Sequence, residues 1–276
     1  MRTGGGAVAT KQKEPGKVER IAAEIREKIE RGTLAPGSRL PGVPQLQQEH
    51  GIAYQTARDI YGLLEDEGLV FSRRGKGTYV SLVIDKIVSD RTSRYLPGFR
   101  EAGGAVGAFE AEMRAKGFDF KNVVTIAKDV PPKKVAGIFE MHHRAKTLKR
   151  ERVMSVFVPG NAEALEVVQV ATSWFPADVV DACPPLAAVK TGTGGSKSRM
   201  AEAGFAQVRL REEIEVRSPT REEAAALGIA AEQAVMEITH MGLTAEGRVV
   251  EICLHVLPRA KWRLSYEWAI DTPGTG

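Results

Sequence analysis

Apolar positions along the first third of the chain recur with a helical period. Val18, Ile21, Ala22, Ile25 and Ile29 line one face and the pattern stops at Gly32, which predicts an amphipathic helix. Residues 34–41 then carry two prolines and the turn Pro36-Gly37, so the chain reverses. Pro44 suits a first helical position, where its missing N–H costs nothing, and the helix it opens should bury Leu46 and end at Gly51. A further helix is expected from about Ala53 to Glu67, with Ile60, Leu63 and Leu64 inward and Gly68 as its left-handed cap. Leu69–Phe71 and Thr78–Val80 are β-rich runs around a six-residue turn with two glycines, the mark of a hairpin.

The remaining chain alternates differently. Residues 81–92 bridge the two parts, and Tyr95 to Phe99 read as an ordered turn. A helix is expected over Ala105–Lys116, a strand around Asn122–Lys128, and a helix over Pro131–Met141 that buries Val135, Ala136, Ile138 and Phe139. Two long strands, Thr147–Val158 and Leu165–Phe175, follow. Later come a helix Arg221–Leu227, strands Ala234–Leu243 and Arg248–Leu257, and a last strand near Arg263–Ala269. Antiparallel strands with scattered helices predict an α+β domain. The whole is of mixed class: a mainly helical head with a β-hairpin, then an antiparallel sheet.

Length sets two domains, because 276 residues exceed one domain of ordinary size. The division read here is an arm over 1–16, a first domain over 17–81, a linker over 82–104 and a second domain over 105–271. Without periodicity, the arm is expected to be disordered. A hydrophobic fraction of 43% and a charged fraction of 27% fit a soluble globular protein. No apolar run approaches the roughly 18 residues of a membrane span, and residues 1–16 lack the apolar core of a secretory signal. The expected compartment is the cytoplasm. Cys183 and Cys253 lie far apart in apolar settings, so neither a disulfide nor a metal site is expected. The net charge of +4 is concentrated at the front, with 13 Lys/Arg against 10 Asp/Glu in residues 1–80 and 26 against 25 in the rest. Such an excess suits a phosphate-binding domain, although a solvated basic face would look the same.

Candidate chemistry sits at two places in the head. The first turn of the helix at Ala53 offers Tyr54, Gln55, Thr56 and Arg58, with Gln45 on the preceding helix. Gln bonds adenine, Arg bonds guanine and a Thr methyl packs on thymine. A polar helix start in a bundle would look alike. The hairpin resolves the choice: Arg73, Arg74 and Lys76 crowd one tip and would repel each other unless phosphates lie alongside, while Gly75 and Gly77 let backbone approach.

With these residues in view, the head resembles the winged helix-turn-helix of the GntR family of bacterial transcription regulators. The matching motifs are Gly37-x-Arg39-Leu40-Pro41, Thr56-x-Arg58, Leu63 with Glu65, Gly68 and Leu69, and Arg74-Gly75-Lys76-Gly77-Thr78-Tyr79-Val80. Pro41-Gly42-Val43-Pro44 and Ala53-Tyr54 replace a Ser cap and two arginines that the family commonly brings to DNA. An operator unlike that of common members is therefore expected.

The second domain resembles the UTRA effector-binding domain of the HutC subfamily, a fold related to chorismate lyase. The resemblance rests on Lys149-Arg150-Glu151-Arg152, Ser173-Trp174-Phe175-Pro176, Thr220 to Ala224 with Leu227-Gly228-Ile229, and Gly247 to Glu251 with Arg263. It implies that Arg150 and Arg152 hold an anion and that Glu251 bonds ligand hydroxyls. Residues two apart share a strand face, so both arginines can converge on one group, or both can face solvent. An acidic family residue falls on Ala171 and a tyrosine on Leu257, which argues against an amino-sugar phosphate. Thr191 to Gly195 could cradle an anion or form a surface loop.

The function expected is a homodimeric, DNA-binding transcriptional repressor modulated by a small, anionic effector, with double-stranded operator DNA as partner and no cofactor. HutC-type regulators of plasmid transfer are similar in kind. A second domain that only dimerises is the alternative. An enzyme is disfavoured: no Ser-His-Asp set, metal spacing or nucleotide loop is present, and His142-His143 reads as solvated.

Overall fold

The computed structural model describes residues 16–73, 75–96, 107–161 and 164–269. Most of the expected arm, Arg74, Pro97 to Phe99, the start of the helix expected at Ala105 and the C-terminal end of the second domain lie outside these residues.

The head forms as its periodicity predicts. Helix α1 (Lys17–Glu30) buries Ile21, Ala22, Ile25 and Ile29. Helix α2 (Val43–His50) buries Leu46 and ends at Gly51, whose φ of 56° is left-handed. Helix α3 (Tyr54–Asp66) buries Ala57, Ile60, Tyr61 and Leu64 against them, and Leu63 is only partly covered. The Tyr61 hydroxyl donates to Pro41 O at 2.5 Å, so even the inner phenol is satisfied. The hairpin of β1 (Val70–Arg73) and β2 (Gly77–Val80) follows, with Phe71 opposite Tyr79.

Behind it stands a six-stranded antiparallel sheet. Its strands are β4 (Asp119–Asp129), β5 (Thr147–Phe157), β6 (Glu166–Trp174), β7 (Arg209–Arg217), β8 (Val235–Leu243) and β9 (Val249–Pro258), in the order β4-β5-β6-β9-β8-β7. Strand β3 (Ile87–Asp90), which falls inside the span read as a linker, pairs in parallel with β10 (Trp262–Ser265). A 3-10 turn over Ser93–Tyr95 continues β3, and helix α4 (Ala108–Ala115) precedes β4. Short helices α5 (Lys133–Ile138), α6 (Ala177–Ala182) and α7 (Gly195–Glu202) decorate the sheet. Helix α8 (Arg221–Leu227) opens on a reciprocal cap in which Thr220 Oγ1 accepts from Glu223 N at 3.2 Å and Glu223 Oε2 accepts from Thr220 N at 2.8 Å.

Head and sheet meet through a buried polar seam. The Lys261 ammonium donates to Gly68 O at the end of α3 (2.7 Å) and to Ser81 Oγ (2.5 Å), and it pairs with Glu166 at 2.6 Å. Glu166 also accepts from Leu82 N at 2.9 Å. Lys261, Glu166 and Ser81 are all buried, so each charge is matched inside a low-dielectric seam.

Candidate operator-reading face and effector cavity

Helix α3 presents Tyr54, Gln55 and Arg58 to solvent, with Tyr54 55% exposed, while Thr56 is half-buried. Two amides on this face are held by carboxylates one turn on: Gln45 Nε2 donates to Glu49 at 2.8 Å and Gln55 Nε2 to Asp59 at 2.7 Å. The wing tip exposes Gly75 and Lys76, and Arg73 is half-buried. Gly77 has a φ of 112°, and a Cβ there would sit 2.9 Å from Arg39 Nε. The positive φ favours glycine there, and its missing Cβ leaves room for the Arg39 guanidinium against the wing.

The second site is a cavity of about 470 Å³ over one face of the sheet. Because side chains alternate along a strand, registers decide what meets on that face. Arg150, Ser173, Cys253, His240 and Glu212 stand in one row across β5, β6, β9, β8 and β7. Arg152, Ala171 and His255 stand in the next. Arg94 and Tyr95 from the turn after β3 and Thr191 to Lys197 at the start of α7 complete the wall. The Gly192–Gly195 stretch is therefore cavity lining, with Gly194 at a φ of 81° capping α7.

The two arginines differ. Arg150 is buried and gives its donors to the carbonyls of Leu186 (2.8 Å), Ala188 (2.5 Å) and Val189 (3.3 Å). Burial and then the neighbouring Arg152 push its pKa down to about 10. Arg152 is half-buried and donates to Ser173 Oγ at 2.5 Å and Cys253 Sγ at 3.0 Å. Among the described residues no carboxylate forms an ion pair with either.

Glu251 is buried and already engaged, accepting from Ser173 Oγ at 3.0 Å and from Gln207 Nε2 at 2.9 Å. Burial would raise its pKa, yet the Lys197 charge, the Gln207 bond and Arg152 hold it below the usual carboxylate range. Gln207 reaches it by crossing Gly242, where a Cβ would lie 2.3 Å from the Gln207 side chain. Lys197 Nζ donates to Gln207 Oε1 at 2.5 Å and approaches His240 Nε2 at 3.3 Å. His240 Nδ1 faces Glu212 Oε1 at 2.9 Å, and its ring stacks on Tyr95 at 4.5 Å. Burial drives the His240 pKa down to about 4, so the imidazole is neutral near pH 7.

Sequence reasoning missed Tyr95, Gln169, Lys197, Gln207, Glu212, His240 and His255. The parity of Glu251, Cys253 and His255 along one strand was the available signal. His142 and His143, by contrast, are exposed, and among the described residues no cluster of three or more His, Cys, Asp or Glu could hold a metal.

The signature of the bacterial regulatory proteins of the gntR family matches residues 17–80, and that of the UTRA domain matches residues 121–262. The chain belongs to the GntR family, with a UTRA domain. This GntR regulator is 27% identical over 261 residues to the uncharacterized HTH-type transcriptional regulator SCO4628 of Streptomyces coelicolor, covering 91% of each chain. It is 43% identical over 60 residues to the mannosyl-D-glycerate transport/metabolism system repressor MngR of Escherichia coli, which is 22% of this chain and 25% of MngR. Its fold is similar to that of PhnF from Mycobacterium smegmatis, with a TM-score of 0.54 at 17% identity over 91% of this chain and all of that one. None of these names bears on the plasmid-transfer resemblance. The GntR and UTRA domains make the protein a DNA-binding transcriptional regulator, not an enzyme. Among the described residues no helix is long and apolar enough to cross a membrane.

Proposed function

We propose that this regulator is a repressor whose operator affinity is set by a small anionic effector held in the cavity over the sheet. The observation that carries the reading is the cavity floor: Arg150 and Arg152 stand together without an ion-paired carboxylate among the described residues, and Glu251 is spent on Ser173 and Gln207. Arg150, Arg152 and Lys197 outnumber Glu251 in the lining, and an excess of positive charge in a partly dry cavity favours an anion and a ligand over a domain that only dimerises. Arg150 serves by holding the loop at residues 186–189, and Arg152 faces the ligand.

DNA is read by Gln45, Tyr54, Gln55, Thr56 and Arg58, with Arg73, Arg74, Gly75, Lys76 and Gly77 on the backbone alongside. A homodimer would set two α3 helices on half-sites about one or more helical turns apart. Val208, Leu210, Ile214 and Val216, exposed along the edge at β7, support a second copy. Arg94 and Tyr95 line the cavity on the chain segment that follows the head, so an effector that shifts this segment changes operator affinity, and the operator then changes effector affinity by the same factor. The test is a mobility-shift titration with DNA upstream of its own gene. Salt-sensitive retardation is expected, and its absence at every protein concentration would sink the reading.

A further inference from the structure

We propose that His255 contacts the effector, donating from Nε2 beside Arg152 to one oxyanion of the ligand, a carboxylate or a phosphate, and that Gln169 is the positioning residue that fixes its tautomer. This rests on the reading of the cavity as an effector site.

The register places Arg152, Ala171 and His255 side by side on three adjacent strands. The Cα atoms of the outer two are then about 9–10 Å apart, two strand spacings. Ala171 between them contributes only a methyl group, so a long guanidinium and an imidazole can close over it toward each other. Both line the cavity.

The tautomer follows from the neighbours. Gln169 is fully buried, and its Nε2 lies 2.9 Å from His255 Nδ1 and 3.1 Å from Met154 Sδ. A thioether sulfur can only accept, so the group facing it is the amide nitrogen, a donor. In that orientation the nitrogen donates to His255 Nδ1 as well, with Gln169 Oε1 buried without a partner among the described residues, and the ring proton is on Nε2. Nε2 has no hydrogen-bond partner among the described residues, although His255 is only 9% exposed. Burial, followed by the positive charges of Arg91 and the other groups around it, holds its pKa well below the ordinary histidine value, so the ring is a neutral donor.

Arg152 supplies the complementary half. Its Nη2 is used by Ser173 and Cys253, its Nε is buried without a partner among the described residues, and it forms no ion pair there. A charged donor and a neutral donor thus stand together in a cavity whose buried carboxylate, Glu251, is already hydrogen-bonded. The group that satisfies both is an oxyanion. The neutral His255 adds a directional bond without adding a further charge that the cavity would have to neutralise in the free protein.

The experiment uses the full chain, with inorganic phosphate and succinate as separate probes of the two oxyanion sources. The 15N signals of the His255 ring are followed by NMR during each titration, and affinity is measured in parallel by calorimetry. In the parent protein the ring is expected to carry its proton on Nε2, and one probe should shift that signal as it binds. Arg152→Met and His255→Phe should each weaken that probe about tenfold, and His255→Gln, which keeps a donor, should recover part of the loss. Gln169→Leu should weaken binding and move the ring toward a mixture of tautomers, which a purely structural role would not do. Binding that leaves the His255 signals unmoved, or that survives His255→Phe unchanged, would overturn the proposal while leaving the effector reading in place. If neither probe binds the parent, the anionic-effector reading fails and the proposal falls with it. Should a variant not fold, the titration of the parent signal decides alone.

Discussion

Single side chains carry two separable kinds of work here. Arg58 is exposed on α3, so Arg58→Ala is expected to cost about 1–3 kcal/mol in operator affinity and to relax the preference at one base pair if it reads a base; binding to a set of mutated operators measures this. Lys76 stands exposed at the wing tip, and Lys76→Ala should weaken all sequences alike and lower the salt slope by about one. An unchanged slope would mean that the wing does not touch phosphate. His240 gives a pH prediction. Burial lowers its folded pKa to about 4 from an ordinary 6.5, so between these values the unfolded chain binds more protons and stability is lost as pH falls. Glu212, held below its usual range by His240 and Arg91 despite its burial, adds loss at lower pH in the same direction. Melting curves at pH 7.5 and 5.0 should show the drop, and His240→Gln should remove part of it, the remainder belonging to His255, whose pKa burial also holds low.

At the scale of elements, α8 offers the cleanest test. Thr220→Ala removes one half of its reciprocal cap, with an expected loss of about 0.5–2 kcal/mol in urea unfolding. Legibility divides along the same scale. Helices α1 to α3, the wing and strands β5, β6, β8 and β9 were readable because each buries one face or both, leaving an apolar period in the sequence. Strand β7 was not: Arg-Leu-Arg-Glu-Glu-Ile-Glu-Val-Arg is an exposed edge, and its inward Glu212 is paired with Arg91 rather than being apolar. Helix α7 opens on glycines that look like a loop, and β3 hides in a span that reads as a linker because its partner β10 is about 170 residues away. The cavity suffered similarly. Arg152 and Glu251 lie on strands that alternate plainly, whereas the roles of His255, Gln169 and Gln207 depend on neighbours from other strands and loops.

For the molecule as a whole, the seam between head and sheet decides how the two parts respond to stress. Lys261→Met would leave Glu166 buried without its partner, and removing one member of a buried pair costs about 3–5 kcal/mol. Denaturant unfolding should show that loss, with Lys261→Met combined with Glu166→Gln recovering part of it. A midpoint equal to that of the parent would mean that the seam does not hold the two domains together. The same three contacts also limit how freely such regulators can be recombined. Lys261 grips a backbone carbonyl at Gly68 and a hydroxyl at Ser81, both on the head's side, and Ala260 sits 3.1 Å from where a Cβ on Gly68 would stand. A reading head grafted from another regulator onto this sheet would therefore need a glycine at the end of its recognition helix and a small hydroxyl residue just after its wing, whatever operator it brings.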